Sequence, residues 1–232
     1  MIKRTLLLSL LLTVSTTQAQ EQAPPAASDA GSVQVQEQAV VPQLASLAIC
    51  ATCHGVDGNN WVVKDDGAFG KTDGGADSPK LTGQLSEYLF KQFSDYKSGA
   101  RSNPIMNGMI TMLPDGDMKA AADFYSKQKF LPADSTAAKD SEAYLLGQKI
   151  WRAGLASKGL PACAGCHGPT GKGISAQYPS LAGQFPDYLQ AQLKAFRDGV
   201  RANDPSKMMR DIALKMTDPE IKAVSDFAAG LR

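Results

Sequence analysis

All four cysteines and both histidines of the chain fall in two short motifs. Cys50, Cys53 and His54 stand in "CATCHG" (50–55), and Cys163, Cys166 and His167 in "CAGCHG" (163–168). Three chemistries use Cys-x-x-Cys. A redox dithiol sits in a strand–helix context of an α/β fold, and no such context surrounds either motif. A zinc clip wants four ligands; with both histidines spent, each half lacks a fourth unless a carboxylate serves. Covalent haem attachment needs two thiols to bond the vinyl groups and a following histidine to reach the iron. All three are present twice, so this reading fits best.

A second axial ligand cannot be another histidine, because none remains. Apart from Met1, the methionines form two clusters: Met106, Met109, Met112 and Met118, then Met208, Met209 and Met216. A thioether opposite an imidazole is the arrangement of c-type electron carriers and raises the reduction potential. A methionine outside that role fills core gaps. Met118 and Met216 read as core residues of the last helix of each half or its entry. A repeat in the chain pairs Met209 with Met109 in one register and with Met106 in another. Spacing therefore leaves the first ligand open; Met209 is preferred in both registers, with Met208 its runner-up.

The elements that must position these residues are also written twice. "PKLTGQLSEYLFKQFSDYKSGARSN" (79–103) lies over "PSLAGQFPDYLQAQLKAFRDGVRAN" (179–203) at an offset of 100. Identities include Pro79/Pro179, Leu81/Leu181, Gly83/Gly183, Gln84/Gln184, Tyr88/Tyr188 and Arg101/Arg201. Asp115/Asp218, Lys119/Lys222, Asp123/Asp226 and Phe124/Phe227 then match at an offset of 103. This is a duplicated domain, too long a period for a solenoid. Leu89, Phe90, Phe93 and Tyr96 recur at helical spacing over Ser86–Ser98, with Gly99 at the stop; Leu189, Leu193 and Phe196 repeat the stripe. Thr217 to Glu220 form a capping box. Glu142–Ala153 predicts a helix ahead of the second motif, and Gln43–Ile49 a shorter one ahead of the first. No stretch alternates with period two, so the expected fold is all-α with few or no strands.

Residues 1–19, "MIKRTLLLSLLLTVSTTQA", have the basic tip, apolar run and small-residue end of a secretory signal peptide. Residues 20–42, rich in Gln, Ala and Pro, read as a flexible tether. Export implies a periplasmic protein. Removing the signal takes Lys3 and Arg4 from the 24 basic side chains, against 23 acidic ones, so the mature charge is near zero and excludes a nucleic-acid partner. The second half is the more basic, and that dipole predicts steering of partners through Lys194, Arg197 and Arg201.

Two CxxCH halves, each running on through P-x-L-x-G-Q-x-x-x-Y-L and G-x-R-x-N to a methionine and a closing helix, resemble cytochrome c4, a di-haem class I c-type cytochrome. The resemblance spans about residues 43–232. It implies two class I cytochrome c domains, 43–131 and 141–232, joined by a linker at 132–140 and related by pseudo-twofold symmetry. It implies two covalently bound haem c groups, with iron ligands His54 and Met106 in one and His167 and Met209 in the other. In that family the ligand methionine stands seven residues before the apolar residue opening the last helix region. That selects Met106, ahead of Leu113, and Met209, ahead of Met216. The carbonyls of Pro79 and Pro179 are expected to accept the histidine N–H. The implied role is a monomeric periplasmic carrier taking single electrons from a cytochrome bc complex to a terminal oxidase, with contact at the membrane surface left open. The alternatives are a di-haem enzyme of thiosulfate or peroxide chemistry, an electron-transfer subunit of a dehydrogenase, and copper binding by "MNGMITM" (106–112). One departure stands out: the first half carries 13 more residues between its histidine and Gln84 than the second does before Gln184. They lie in 60–78, a surface loop or a flap with Trp61 and Phe69 as anchors.

Overall fold

The computed structural model describes residues 45–63, 69–71, 78–131, 133, 135 and 137–232. The signal segment 1–19 and the tether 20–42 lie outside them. The first half runs α1 (Ala45–His54), β1 (Trp61–Val63), β2 (Phe69–Lys71), α2 (Ser86–Ser98), α3 (Pro104–Thr111) and α4 (Asp115–Ser126). The second runs α5 (Glu142–Ala153), α6 (Ala164–His167), α7 (Pro186–Arg197), α8 (Met208–Ala213) and α9 (Asp218–Ala229). Among the described residues the architecture is helical apart from one short antiparallel ribbon, with Val62 opposite Gly70.

Each half has its own apolar core. Leu47, Leu89, Phe93, Tyr96, Met118 and Tyr125 form the first. Ile150, Trp151, Leu189, Ile221, Val224 and Phe227 form the second. The stripe on α2 is buried as its spacing requires, and Gly99 ends that helix in the left-handed region at φ 80, where a Cβ is unfavourable. Helix α9 opens on the Thr217–Glu220 capping box with Pro219 in its first turn. The halves differ ahead of the haem motif. In the second, α5 is a full helix packed on α9, and a break separates it from α6. In the first, one helix, α1, runs straight into Cys50-x-x-Cys53-His54.

The loop after each motif is built alike and then diverges. Asn60 N–H bonds the His54 carbonyl at 2.7 Å, and Gly173 N–H bonds the His167 carbonyl at 3.0 Å. Both residues have positive φ, 62° and 77°. Asparagine tolerates that region better than most side chains, so it can stand where the other copy has glycine. The first half then inserts the β1–β2 ribbon. Asn60, fully buried, closes its neck by donating from Nδ2 to the Ser78 carbonyl at 2.7 Å. Residues 64–68 and 72–77, and the side chains of Trp61 and Phe69, lie outside what is described. No helix among the described residues is long and apolar enough to cross a membrane.

Candidate haem sites and the face between them

His54 and His167 are buried, 5 % and 7 % exposed, at the ends of α1 and α6. Each Nδ1 sits 2.8 Å from a proline carbonyl, Pro79 for His54 and Pro179 for His167. A carbonyl can only accept, so Nδ1 carries the proton and Nε2 keeps its lone pair for a metal. Burial pushes both imidazoles below their ordinary pKa, and the proline carbonyls oppose that only in part. Both rings are therefore held neutral in the tautomer that ligates iron.

The cysteines exclude one rival chemistry. Burial pushes the Cys50 and Cys163 thiols up to about 11. A redox dithiol needs the opposite, a lowered pKa that supplies thiolate. Among the described residues no three His, Cys, Asp or Glu side chains converge as a metal cluster.

Both histidines line one continuous cavity of about 1980 Å³, part of it open to solvent. The cavity reaches both histidines, so a large flat group can lie against each. Met106, Met208, Met209 and Met216 also line it. Met109 is 40 % exposed and Met112 65 %, and neither lines the cavity. Asn103 caps α3, its Oδ1 accepting the Met106 N–H at 3.0 Å, and so fixes the turn that carries Met106. Its repeat partner Asn203 does something else, and α8 instead follows two left-handed residues, Ser206 and Lys207. Ser225 Oγ is buried without a hydrogen-bond partner and its residue also lines the cavity, so the wall holds a polar atom left for an occupant. Two neutral imidazoles, thioethers and an apolar wall fit haem c attached through the cysteines.

Between the two sites the halves meet in a polar face that obeys twofold logic. The Gln84 side chain brackets Ser180, accepting its N–H at 3.0 Å and donating to its carbonyl at 2.9 Å. Gln184 does the same to Lys80, at 3.0 Å each way. Arg101 donates to Tyr188 and Gln192; Arg201 donates to Tyr88 and Gln92. Residue i meeting j′ while j meets i′ is the signature of an isologous contact, here within one chain. Symmetry breaks at Asn203, which crosses to Gln92 and Asp95.

This face was readable only in part. Gln84, Tyr88 and Arg101 showed in the sequence as repeated identities, but what they touch comes from the other copy. The steering expectation needs correction. Arg201 is buried in the interface, while Lys194 and Arg197 are paired with Asp218. In the second half, exposed cations with no ion-pair partner among the described residues include Lys149, Arg152, Lys172, Lys207 and Lys222.

A cytochrome c family model matches residues 145–231, the half without the insertion. Cytochrome c4 of Pseudomonas aeruginosa is 37% identical over 97% of this chain and 98% of its own length. A thiosulfate dehydrogenase electron acceptor of Stutzerimonas stutzeri is 40% identical over 78% of each. The crystal structure of reduced recombinant cytochrome c4 from Pseudomonas stutzeri superposes with a TM-score of 0.70 at 36% identity, covering 80% of this chain and 95% of that one. Two haem-binding motifs, two class I helical domains about a pseudo-twofold axis and likeness over nearly the whole length lead to one conclusion: the chain belongs to the cytochrome c4 family of di-haem electron carriers, with two covalently bound haem c groups.

Proposed function

We propose that this protein is an exported carrier that passes single electrons between a cytochrome bc-type donor and a terminal oxidase or comparable acceptor. Its domains are residues 43–131 and 141–232, with 132–140 between them and a cleaved leader at 1–19. His54 with Met106, and His167 with Met209, are the axial pairs. The observation that carries the reading is the paired cavity wall: a neutral, carbonyl-held imidazole and a methionine segment in each half, on either side of one interface. The haem, when bound, supplies an iron that exchanges one electron between its ferric and ferrous states. The protein's part is to exclude water, hold the imidazole tautomer and keep the two sites at a fixed separation. Lys80, Gln84, Ser180 and Gln184 lock that separation with four hydrogen bonds.

A second partner is favoured by one observation, the 40% identity to a thiosulfate dehydrogenase electron acceptor. On that reading the donor is a thiosulfate-oxidising enzyme and the chain remains a carrier. Rapid-mixing reduction of the purified holoprotein by a bc-type complex and by a thiosulfate dehydrogenase distinguishes the two. Fast reduction by either, with no turnover of thiosulfate or peroxide by the protein alone, supports the carrier. Turnover by the protein alone contradicts it.

A further inference from the structure

Each half carries its methionine segment after the same Arg-x-Asn, Arg101–Asn103 and Arg201–Asn203, but the two segments are held differently. In the first half the Asn103 side chain accepts the Met106 N–H, and the Asn103 N–H donates to Asn107 Oδ1 at 2.7 Å. Asn107 Nδ2 donates to the carbonyls of Tyr96 and Arg101, at 2.5 and 3.2 Å. All of these residues belong to the first half. In the second half Asn203 reaches across the interface. Its Nδ2 donates to Gln92 Oε1 at 2.9 Å and to Asp95 Oδ2 at 2.6 Å, and its carbonyl accepts from Lys91 Nζ at 3.1 Å. These three partners stand on α2 of the first half. Within its own half, Asn203 Oδ1 accepts from Arg201 Nε at 3.0 Å. The next residue, Asp204, closes the strap on itself. One carboxylate oxygen accepts the Arg210 N–H at 3.0 Å and the other accepts from Arg210 Nε at 2.8 Å, with the Asp204 side chain only 3 % exposed. Met208 and Met209 lie between those two ends. So do Ser206 and Lys207, both left-handed without being glycine. That conformation persists only where the surroundings hold it.

We infer that the first half positions the methionine ligand of the second, through Gln92, Asp95 and Asn203, and that this dependence runs one way. The inference rests on Met209 as the axial ligand proposed above. Asn203 ties one end of the 203–210 strap to α2, and Asp204 passes that tie to Arg210, the residue after Met209. A segment already held in its bound conformation loses less freedom when it binds, so the tie favours the Met209 thioether over an outside ligand. Nothing equivalent runs back. At the offset of 100, Ala191 and Ala195 stand where the first half has Lys91 and Asp95, and Asn103 stays with its own half.

The test uses the holoprotein, with each haem followed by its own NMR signals. Two quantities are read: the upfield methionine methyl signals of the reduced state, and the affinity of the oxidised state for added imidazole, which competes with methionine for iron. Asp95→Ala is expected to tighten imidazole binding at the second haem about fivefold or more and to move or broaden the Met209 methyl signal. The first haem, in the same half as the substitution, should keep its parental values. Asp204→Ala should act as Asp95→Ala does. Asp95→Asn keeps an oxygen for Asn203 and should retain the parental affinity. The potentials supply a sign. Loss of a carboxylate alone favours the reduced state and raises both, whereas a loosened methionine lowers the second; a lower second potential is expected in Asp95→Ala. If Asp95→Ala does not fold, Asn203→Ala, which removes the same bonds from the other side, decides. Parental imidazole affinity at the second haem in the deciding variant overturns the inference, as does an equal change at both haems. A parent with no methionine methyl signal at the second haem, or one that survives Met209→Ala, overturns the axial assignment instead.

Discussion

Single residues decide the chemistry here because each has one alternative blocked. His54 and His167 cannot ligate through Nδ1, which the proline carbonyls occupy. Burial raises the free thiols of Cys50 and Cys163, the opposite of what a redox dithiol needs before haem is attached. The motifs were legible because thiols and imidazole lie within five residues; the tie from Asn203 was not, because Gln92 and Asp95 lie 111 and 108 residues away. Glu220 gives a prediction at this scale. Desolvation would raise its carboxyl, but bonds from Lys158 and from Thr217 outweigh it and leave the pKa below the ordinary value. A depressed carboxylate contributes stability that is present above the unfolded-state pKa and lost as pH falls through the folded one. Glu220→Gln keeps an oxygen for the Thr217 N–H but loses the charge paired with Lys158, and is expected to cost at most about 1 kcal/mol at neutral pH. Denaturant midpoints of parent and variant should converge as pH drops below the ordinary glutamate range; a gap that widens in acid counts against this account.

Among the elements, helix periodicity carried most of the reading. Ser86–Ser98 and Glu142–Ala153 form as their apolar spacing predicts. The ribbon within the insertion was not foreseen, because three-residue strands are too short to show alternation. Nor did the sequence show that Gly147 is the contact point of α5 with α9. A Cβ there would lie 2.2 Å from the Ala223 carbonyl oxygen and 2.9 Å from Phe227 Cβ. Backbone cannot yield as a flexible side chain does, so the helices must part. Gly147→Ala should gain about 1 kcal/mol in helix propensity and lose more than that through overpacking, with a net loss of about 1–3 kcal/mol. Thermal or urea unfolding of the holoprotein measures it. An increase in stability would show that α5 and α9 are not closely packed.

For the whole molecule, duplication explains both the symmetry and its usefulness. Identical residues on two copies can meet about an axis, so Gln84 and Gln184, or Arg101 and Arg201, each serve the opposite half. The repeat was plain in the sequence, but repetition alone does not say which faces meet. Charge asymmetry was legible in total and misplaced in detail, because composition cannot tell Arg201 in an interface from Lys172 on a surface. The exposed, unpaired cations Lys149, Arg152 and Lys172 should steer an acidic redox partner. Replacing all three with Gln is expected to lower the association rate severalfold at low ionic strength and to flatten its salt dependence. An unchanged rate in stopped-flow mixing would remove these three cations from the docking path.

The central claim is that each half closes its iron with one methionine, Met106 in the first and Met209 in the second. The most direct measurement is the proton NMR spectrum of the fully reduced protein and of single Met→Ala variants. A methionine methyl bound to iron sits over the haem face, where the ring current moves its signal far upfield. Two such signals are expected in the parent. Met106→Ala should remove one and Met209→Ala the other, while Met109→Ala and Met208→Ala leave both in place. A single upfield signal in the parent, or loss of one in Met109→Ala or Met208→Ala, would contradict the assignment.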